Sequence, residues 1–122
     1  MRYVLLVCDD ESVELTSTEV EARYAAYTRC QVEMEARGVF VDRERLRPTS
    51  ASTTVRERSG GLVIADGPFA ETKEQIAGYD VIECADLDEA IEVASKHPTA
   101  WMGTIEVRPI RGQGCGDREE VG

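Results

Sequence analysis

Apolar residues near the amino end of the chain form one unbroken run, residues 3–8, and acidic residues follow it directly. A run of this kind, rich in valine and leucine, is typical of a strand that is buried on both faces and central in its sheet. Residues 79–84 predict a second strand. Residues 104–108 predict a third, in which Ile105 and Val107 alternate with polar neighbours.

A helical period appears twice between these strands. Thr16 and Glu19 have the spacing of a capping box, and apolar residues then recur at steps of three and four up to a stop at Gly38. A second helix is capped by Asp86 and Glu89 and closes at residues 96–98. The apolar stripes are Val20, Tyr24, Tyr27, Cys30 or Gln31, and Met34 in the first helix, and Leu87, Ala90, Ile91 and Ala94 in the second.

The middle of the chain predicts shorter strands. Residues 39–41 indicate one of them. Residues 53–58 and 62–65 indicate a hairpin, because Gly60 and Gly61 separate them and glycine suits a tight turn.

These elements predict an α+β fold with two helices on one face of an antiparallel sheet. Two helices cover only one face of a sheet of roughly four or five strands. Residues 3–8 and 62–65 are apolar on both sides, so the helix-free face also needs cover, and a homodimer is the simplest solution. Two such sheets would enclose a space, lined by Glu106 and Arg108 among others, that suits a small polar ligand.

Length and charge narrow the possible partners. The 122 residues suit one domain, predicted at residues 1–110, followed by a glycine-rich charged tail at residues 111–122. Fourteen basic residues against twenty-four acidic ones give a net charge of −10. We therefore expect no nucleic-acid partner and no anionic membrane partner.

The first apolar run is too short, and too soon followed by charge, for a signal peptide or membrane span, so we expect a cytoplasmic protein. The cysteines lack C-x-x-C spacing, so we expect reduced thiols, no metal and no cofactor. They are Cys8, Cys30, Cys84 and Cys115, of which the last is expected to be exposed.

The stretch Asp66-Gly67-Pro68-Phe69 holds a carboxylate on a constrained turn. Pro68 sets its own φ and biases Gly67 toward an extended conformation. Asp66 is therefore a candidate acid or base, with the alternative that its side chain only stabilises the turn through an Asx-type bond.

Tyr79 is the second candidate catalytic residue, as a hydrogen-bond donor or acid. The residues expected to line the pocket are Tyr24, Tyr27, Phe69, Glu74, Glu106 and Arg108, and the last of these would hold an anionic group of the substrate. Packing is the alternative role for the tyrosines, because two of them lie on the apolar stripe of the first helix. Glu74 either faces solvent beside Lys73 or folds back as a second carboxylate.

The segment from residue 66 to residue 98 resembles the DGPF branch of the YCII-related family. The residues that carry the resemblance are Asp66-Gly67-Pro68-Phe69, Glu71-Thr72-Lys73-Glu74, Gly78-Tyr79, Asp86-Leu87-Asp88-Glu89-Ala90 and His97-Pro98. It extends outward through Leu46 and Pro48 on one side and residues 106–109 on the other. It implies a ferredoxin-like fold and a dimeric α/β barrel.

In YCII-like relatives, a His–Asp pair in the cavity is the proposed catalytic group, and at least one relative is a dehydrochlorinase. Their histidine lies near the start of the first helix, where this chain has Arg23, Tyr24 and Tyr27. The single histidine here, His97, ends the second predicted helix, where a helix-terminal cation or a solvated residue is expected.

Two functional hypotheses follow. The first is a small-molecule-binding dimer with cofactor-free acid/base activity of the lyase, isomerase or dehydrohalogenase kind. The alternative is a non-enzymatic regulatory or accessory protein associated with an extracytoplasmic-function sigma factor, because the resemblance extends to proteins encoded beside such factors.

Overall fold

A computed structural model of the protein describes residues 1–112, which form six strands, three α-helices and one 3-10 turn at Thr49–Ala51. The strands are β1 (Arg2–Asp9), β2 (Phe40–Arg45), β3 (Thr53–Arg58), β4 (Gly61–Asp66), β5 (Gln75–Glu83) and β6 (Thr104–Pro109). The helices are α1 (Ser17–Arg37), α2 (Leu87–Ser95) and α3 (Thr99–Met102). Cys115 and most of the expected tail lie outside the described residues.

Four strands form one antiparallel sheet in the order β2-β5-β1-β6. The long strands β1 and β5 are central, and Leu5 of β1 lies opposite Asp80 of β5. With α1 between β1 and β2 and α2 between β5 and β6, this is the ferredoxin-like arrangement. The predicted α+β class is confirmed, with the apolar run of residues 3–8 inside the sheet as expected.

Helix α1 begins and ends where its sequence signals predict. The Thr16 side chain accepts a hydrogen bond from the Glu19 backbone N–H at 3.2 Å, and the Glu19 side chain accepts one from the Thr16 N–H at 3.0 Å. This reciprocal capping box satisfies two backbone donors that the helix leaves unpaired. At the other end, Gly38 adopts φ 68°, a left-handed conformation that favours glycine.

The core fills the space between the helices and one face of the sheet. Its most deeply buried side chains include Leu5, Met34, Ile82 and Val93. In α1, however, the buried residues are Ala26, Cys30 and Met34, whereas Val20 and Tyr24 of the predicted stripe are exposed. The stripe was predicted too far toward the amino end of the helix, because a cavity lies beneath that end.

Helix α2 differs from its prediction in a similar way. It buries Ala90, Val93 and Ala94, and leaves Leu87 and Ile91 about half exposed, at 48% and 50%. The alanines let the helix lie close to the sheet, so the larger side chains fall at the margin of the contact. In the described residues, no helix is both long and apolar enough to cross a membrane.

Strands β3 and β4 form a separate two-stranded sheet, here called the arm (residues 53–66). Its turn lies at Ser59 and Gly60, which both have positive φ, one position earlier than the predicted Gly-Gly turn. Every residue of β4 is exposed. The expectation that residues 62–65 lie in the main sheet is therefore wrong, because these strands pair only with each other.

Candidate functional site

A cavity of about 710 Å³ lies between the amino-terminal half of α1, the edge formed by β2 and β5, and the end of α2. Side chains alternate between the two faces of a strand, so Arg43 of β2 and Asp80 of β5, which lie opposite each other, both face the helices. His97 lies beside them, where the chain leaves α2 and enters α3. The polar residues that form the candidate site are Arg23, Tyr27, Arg43, Arg45, Asp80 and His97.

Asp80 and His97 are the most deeply buried ionisable residues of this cavity, at 4% and 2% exposure. His97 Nε2 and Asp80 Oδ2 are 3.7 Å apart, which is too far for a hydrogen bond. The other oxygen, Asp80 Oδ1, accepts a hydrogen bond from Arg43 Nε at 3.2 Å. Asp80 Oδ2 has no hydrogen-bond partner among the described residues, so a buried carboxylate oxygen is left without a donor.

The protonation of His97 follows from its surroundings. Its Nδ1 accepts a hydrogen bond from the Thr99 backbone N–H at 3.1 Å, so the neutral ring carries its proton on Nε2, toward Asp80. Burial, and then the positive charges of Arg43, Arg45 and Arg23, lower the pKa of His97 to about 4. The imidazole is therefore neutral at pH 7 and serves as a hydrogen-bond donor.

The expectation that His97 is a helix-terminal cation or a solvated residue is wrong. Pro98 does not end the helical region, because the chain turns at once into α3, whose first residue, Thr99, donates its backbone N–H to the ring. The ring is 2% exposed. Tyr27 packs against the ring edge to face, with centroids 5.0 Å apart and planes at 88°.

The pKa of Asp80 is shifted in the opposite direction from that of His97. Burial raises the pKa of its carboxyl group, and the charges of Arg43 and Arg45 only partly oppose this. A raised pKa makes a carboxylate a better proton acceptor near neutral pH. Asp80 thus combines raised basicity with a free oxygen atom.

A second polar network lies beside this pair. Arg23 donates to Asp9 at 2.5 Å and to the Thr99 hydroxyl at 3.2 Å, and the Tyr27 hydroxyl bonds the same Thr99 oxygen at 2.8 Å. Two buried guanidinium nitrogens, Arg23 Nε and Arg43 Nη1, have no hydrogen-bond partner within residues 1–112. Buried donors without partners are costly, so an acceptor from a ligand or from water would stabilise them.

Arg45 completes the cationic side of the cavity. Its guanidinium lies 4.3 Å from the centre of the Tyr27 ring, in a cation–π contact. It makes no ion pair with another described residue within 4.0 Å, unlike Arg23 and Arg43. Glu44 also lines the cavity, but it lies opposite Tyr79 and so belongs to the other face of the sheet.

Gly78 allows the two edge strands to approach closely at this site. A Cβ atom at this position would lie 2.7 Å from the carbonyl oxygen of Glu44, closer than real Cβ atoms come to other atoms. The absence of a side chain at Gly78 therefore helps to hold Arg43 of β2 against Asp80 of β5.

Of the three tyrosines of the sequence prediction, Tyr24 and Tyr27 line this cavity from α1, whereas Tyr79 reaches its margin from the other face of the sheet, opposite Glu44. Tyr24 is 72% exposed, so the packing alternative does not describe it. Tyr79 donates a hydrogen bond to Asp42 at 3.2 Å, and the Asp42 charge raises the pKa of this phenol. Only Tyr27 contacts the His97 ring.

Asp66 lies elsewhere, at the end of the arm. Its turn is held by a hydrogen bond from the Gly67 N–H to the Ser52 carbonyl at 2.8 Å, and by one from the Thr54 hydroxyl to the Gly67 carbonyl at 2.7 Å. The Asp66 side chain forms no hydrogen bond or ion pair with the described residues, so the Asx alternative does not describe it. Phe69 is 79% exposed and lines a separate cavity of about 270 Å³.

Three further predicted pocket residues lie apart from Asp80. Glu74 accepts a hydrogen bond from the Thr104 hydroxyl at 2.6 Å, so it folds back onto the sheet instead of facing solvent with Lys73. Glu106 accepts one from Arg108 at 2.5 Å. Glu106 and Arg108 alternate with Ile105 and Val107 along β6 and therefore lie on the helix-free face, as predicted.

Sequence reasoning did not identify Asp80, Arg43 or Arg23 as candidate site residues. Asp80 carried a usable signal, because it alternates with Gly78 and Ile82 on what became the buried face of a central strand. A lone aspartate on such a face needs a cationic partner. The identity of that partner, Arg43, depended on strand register. In the described residues, no group of three or more His, Cys, Asp or Glu could hold a metal ion.

Comparison with known proteins identifies the family of this chain. A family model described as "YCII-related domain" matches residues 1–112. An uncharacterized protein of Rhizobium meliloti (strain 1021) is 41% identical over 117 residues, and the match covers 90% of this chain and 92% of that protein. This chain therefore belongs to the YCII-related domain family.

Proposed function

We propose that the cavity binds a small organic anion and that Asp80 accepts a proton from it while His97 donates a hydrogen bond. The observation that carries this proposal is the free Asp80 Oδ2, 3.7 Å from His97 Nε2, inside a cavity with three arginines. The gap between the two groups would be bridged by a polar atom of the ligand.

The preference for an anion follows from charge and from unfilled hydrogen-bond donors. Arg23 and Arg43 are each paired with one aspartate, which leaves Arg45 as the excess cation near His97. Burial is the main cause of the lowered pKa of His97, and the charges of Arg43, Arg45 and Arg23 lower it further, which reflects the same positive field. A carboxylate would compensate Arg45 and fill the donors Arg23 Nε and Arg43 Nη1.

The acid/base step needs no cofactor. A C–H bond of the ligand breaks, its proton goes to Asp80 Oδ2, and the electron pair stays on the ligand. In an elimination, the electron pair forms a double bond as a leaving group departs. In an isomerisation, the ligand is protonated again at another carbon. The Nε2–H of His97 and the arginines stabilise the negative charge that develops. These are the steps of a lyase, dehydrohalogenase or isomerase.

Binding is tested by calorimetry with benzoate, and benzamide serves as a neutral control of the same shape. We expect benzoate to bind at least about tenfold more tightly than benzamide, and the Arg45→Gln variant to lose most of this difference. Equal affinities for the two compounds would contradict the proposed preference for anions.

The acid/base role is tested by comparing two carboxylates. Chloride release and deuterium incorporation are followed with a panel of chlorinated and unsubstituted aromatic and aliphatic carboxylates. For any compound that reacts, we expect Asp80→Asn to lower kcat by about 10²–10⁴-fold and Asp66→Asn to leave it near the wild-type value. The reverse result would move the active site to the arm, where the sequence had suggested it.

The regulatory hypothesis remains the alternative. It is favoured if benzoate binds, no compound reacts, and Asp80→Asn binds as well as wild type. Association with an extracytoplasmic-function sigma factor and cytoplasmic localisation stay predictions from the resemblance and from the sequence.

A further inference from the structure

The candidate site contains three buried polar atoms that have no hydrogen-bond partner within residues 1–112. Two of them are donors, Arg23 Nε and Arg43 Nη1, and the third is an acceptor, Asp80 Oδ2. A buried polar atom without a partner is costly, and a ligand that supplies the missing partner removes this cost. The three atoms therefore indicate which groups a ligand of this cavity should carry.

The space between Asp80 and His97 suits a single oxygen atom of a ligand. Asp80 Oδ2 and His97 Nε2 are 3.7 Å apart, and one oxygen can lie at hydrogen-bond distance, about 2.8 Å, from both. Asp80 Oδ2 accepts and the His97 Nε2–H donates, so this oxygen has to donate to one and accept from the other. A hydroxyl group does both, whereas a carbonyl or carboxylate oxygen can only accept.

Arg43 defines a second ligand position close to the first. Its Nε donates to Asp80 Oδ1 at 3.2 Å, and its guanidinium carbon lies 4.1 Å from the centre of the Phe40 ring. The unpaired Nη1 belongs to the same rigid plane as Nε, so it also lies close to the Asp80 carboxyl group. A ligand atom that accepts from Nη1 is therefore near the oxygen that bridges Asp80 and His97.

Charge favours a carboxylate at this second position. Arg45 lines the same cavity, and it makes no ion pair within 4.0 Å with another residue of the part of the chain that the structure describes. A carboxylate would compensate this charge and accept from Arg43 Nη1 at the same time. The cavity also has an apolar part, to which Val7, Leu15 and Val20 contribute.

We infer that the ligand of this cavity is a 2-hydroxy carboxylate with an apolar substituent. Its hydroxyl group donates to Asp80 Oδ2 and accepts from His97 Nε2–H, and its carboxylate accepts from Arg43 Nη1. The 2-hydroxy acids carry these two groups on adjacent carbon atoms, which matches two positions that lie close together. This ligand class rests on the proposed binding of an organic anion, and it names the second group that the anion carries.

Calorimetry with four related carboxylates tests this class. Mandelate has the hydroxyl group, and both of its enantiomers are measured. In 2-phenylpropionate, a methyl group of similar size replaces the hydroxyl. In phenylglyoxylate, a carbonyl oxygen that can only accept replaces it. Benzoate lacks a substituent at this position and reports the anion site alone.

We expect one enantiomer of mandelate to bind at least about tenfold more tightly than either 2-phenylpropionate or phenylglyoxylate. The reason is that only mandelate satisfies both Asp80 Oδ2 and the His97 Nε2–H. The other two compounds leave the buried carboxylate oxygen without a donor.

The Asp80→Asn variant should change this order. Because Arg43 Nε needs an acceptor, the amide oxygen of the new side chain should take the place of Oδ1, and its NH₂ group should take the place of Oδ2. A donor then stands where the acceptor was, so the preference for mandelate over phenylglyoxylate should be lost or reversed. Asp66→Asn removes the same charge at an exposed site and should keep the wild-type order.

A measurement on the wild type keeps the test independent of how well the variant folds. His97 is the only histidine, so its Nε2–H proton can be assigned without ambiguity in an NMR spectrum. Mandelate should shift this signal downfield, because a hydrogen bond to the hydroxyl oxygen deshields the proton. The methyl group of 2-phenylpropionate cannot accept, so it should not produce this shift.

Four results would overturn the inference. If benzoate binds and mandelate binds no more tightly than 2-phenylpropionate, the hydroxyl is not recognised, although the proposed anion site stands. If phenylglyoxylate binds more tightly than mandelate to the wild type, Asp80 donates instead of accepting. If Asp80→Asn keeps the preference for mandelate, the hydroxyl is recognised elsewhere. If none of the four carboxylates binds, the proposed anion site fails together with the ligand class.

Discussion

At the scale of single residues, the chemistry of this protein depends on burial more than on residue type. Asp66 and Asp80 are both aspartates beside a sheet, but Asp66 is exposed and Asp80 is 4% exposed. Burial raises the pKa of Asp80, whereas an exposed carboxylate stays in water. The residue that the turn motif made conspicuous, Asp66, is therefore not the buried one.

His97 offers a direct test at this scale because it is the only histidine. In an NMR titration, its imidazole signal should move with a pKa of about 4, instead of 6.5. Arg45→Gln should raise this pKa because it removes one of the charges that oppose protonation. Saturating benzoate should raise it too. A midpoint near 6.5 in the folded wild type would contradict the buried, neutral imidazole.

At the scale of elements, the close approach of β2 and β5 holds the site together. Gly78→Ala would force its Cβ against the Glu44 carbonyl oxygen, so the strands would have to separate. We expect a loss of about 1–3 kcal/mol in the free energy of unfolding, measured by urea denaturation. The site should also loosen, with weaker benzoate binding.

Gly61→Ala is the matched control for this substitution. A Cβ at Gly61 meets only the Arg58 carbonyl oxygen, at an ordinary 3.5 Å. Its effect on unfolding should stay within about 0.5–1 kcal/mol. Equal losses in the two variants would contradict the strand contact as the cause of the effect at Gly78, because the lower entropy of the unfolded chain should by itself make Gly→Ala neutral or stabilising.

At the scale of the whole molecule, the buried histidine links stability to pH. The pKa of His97 is about 4 when folded and 6.5 when unfolded, so between these values the unfolded chain binds a proton more readily. Stability should therefore fall as pH falls through this window, by up to about 3 kcal/mol. Asp80 acts in the opposite direction, because its raised pKa lets the folded chain take up a proton first.

Urea denaturation at several pH values measures this dependence. His97→Gln should unfold with a shallower loss of stability between pH 6.5 and pH 4 than the wild type, even if the variant is less stable at pH 7. Parallel curves for the two proteins would show that other carboxylates, and not His97, control the loss.

The sequence by itself determined the local structure and the family. The capping box at Thr16 and Glu19 and the left-handed Gly38 are signals that act over a few residues, so the limits of α1 could be predicted. The alternation in β6 and the apolar run in β1 are also local patterns, so the strands of the sheet and the α+β class could be predicted from them. The motifs from Asp66 to Pro98 indicated the YCII-related family, which the family match confirmed.

Only the tertiary structure decided which of these residues meet. Asp80, Arg43 and His97 come from three separate elements, and their contact depends on strand register and on the short helix α3, which no local pattern predicted. The tertiary structure also decided that the arm is separate from the main sheet. The pairing of two strands in a hairpin is local, whereas the docking of that hairpin on a sheet is not. Burial and charge environment are properties of the assembled fold, so the perturbed pKa values of the site could not be read from residue types alone.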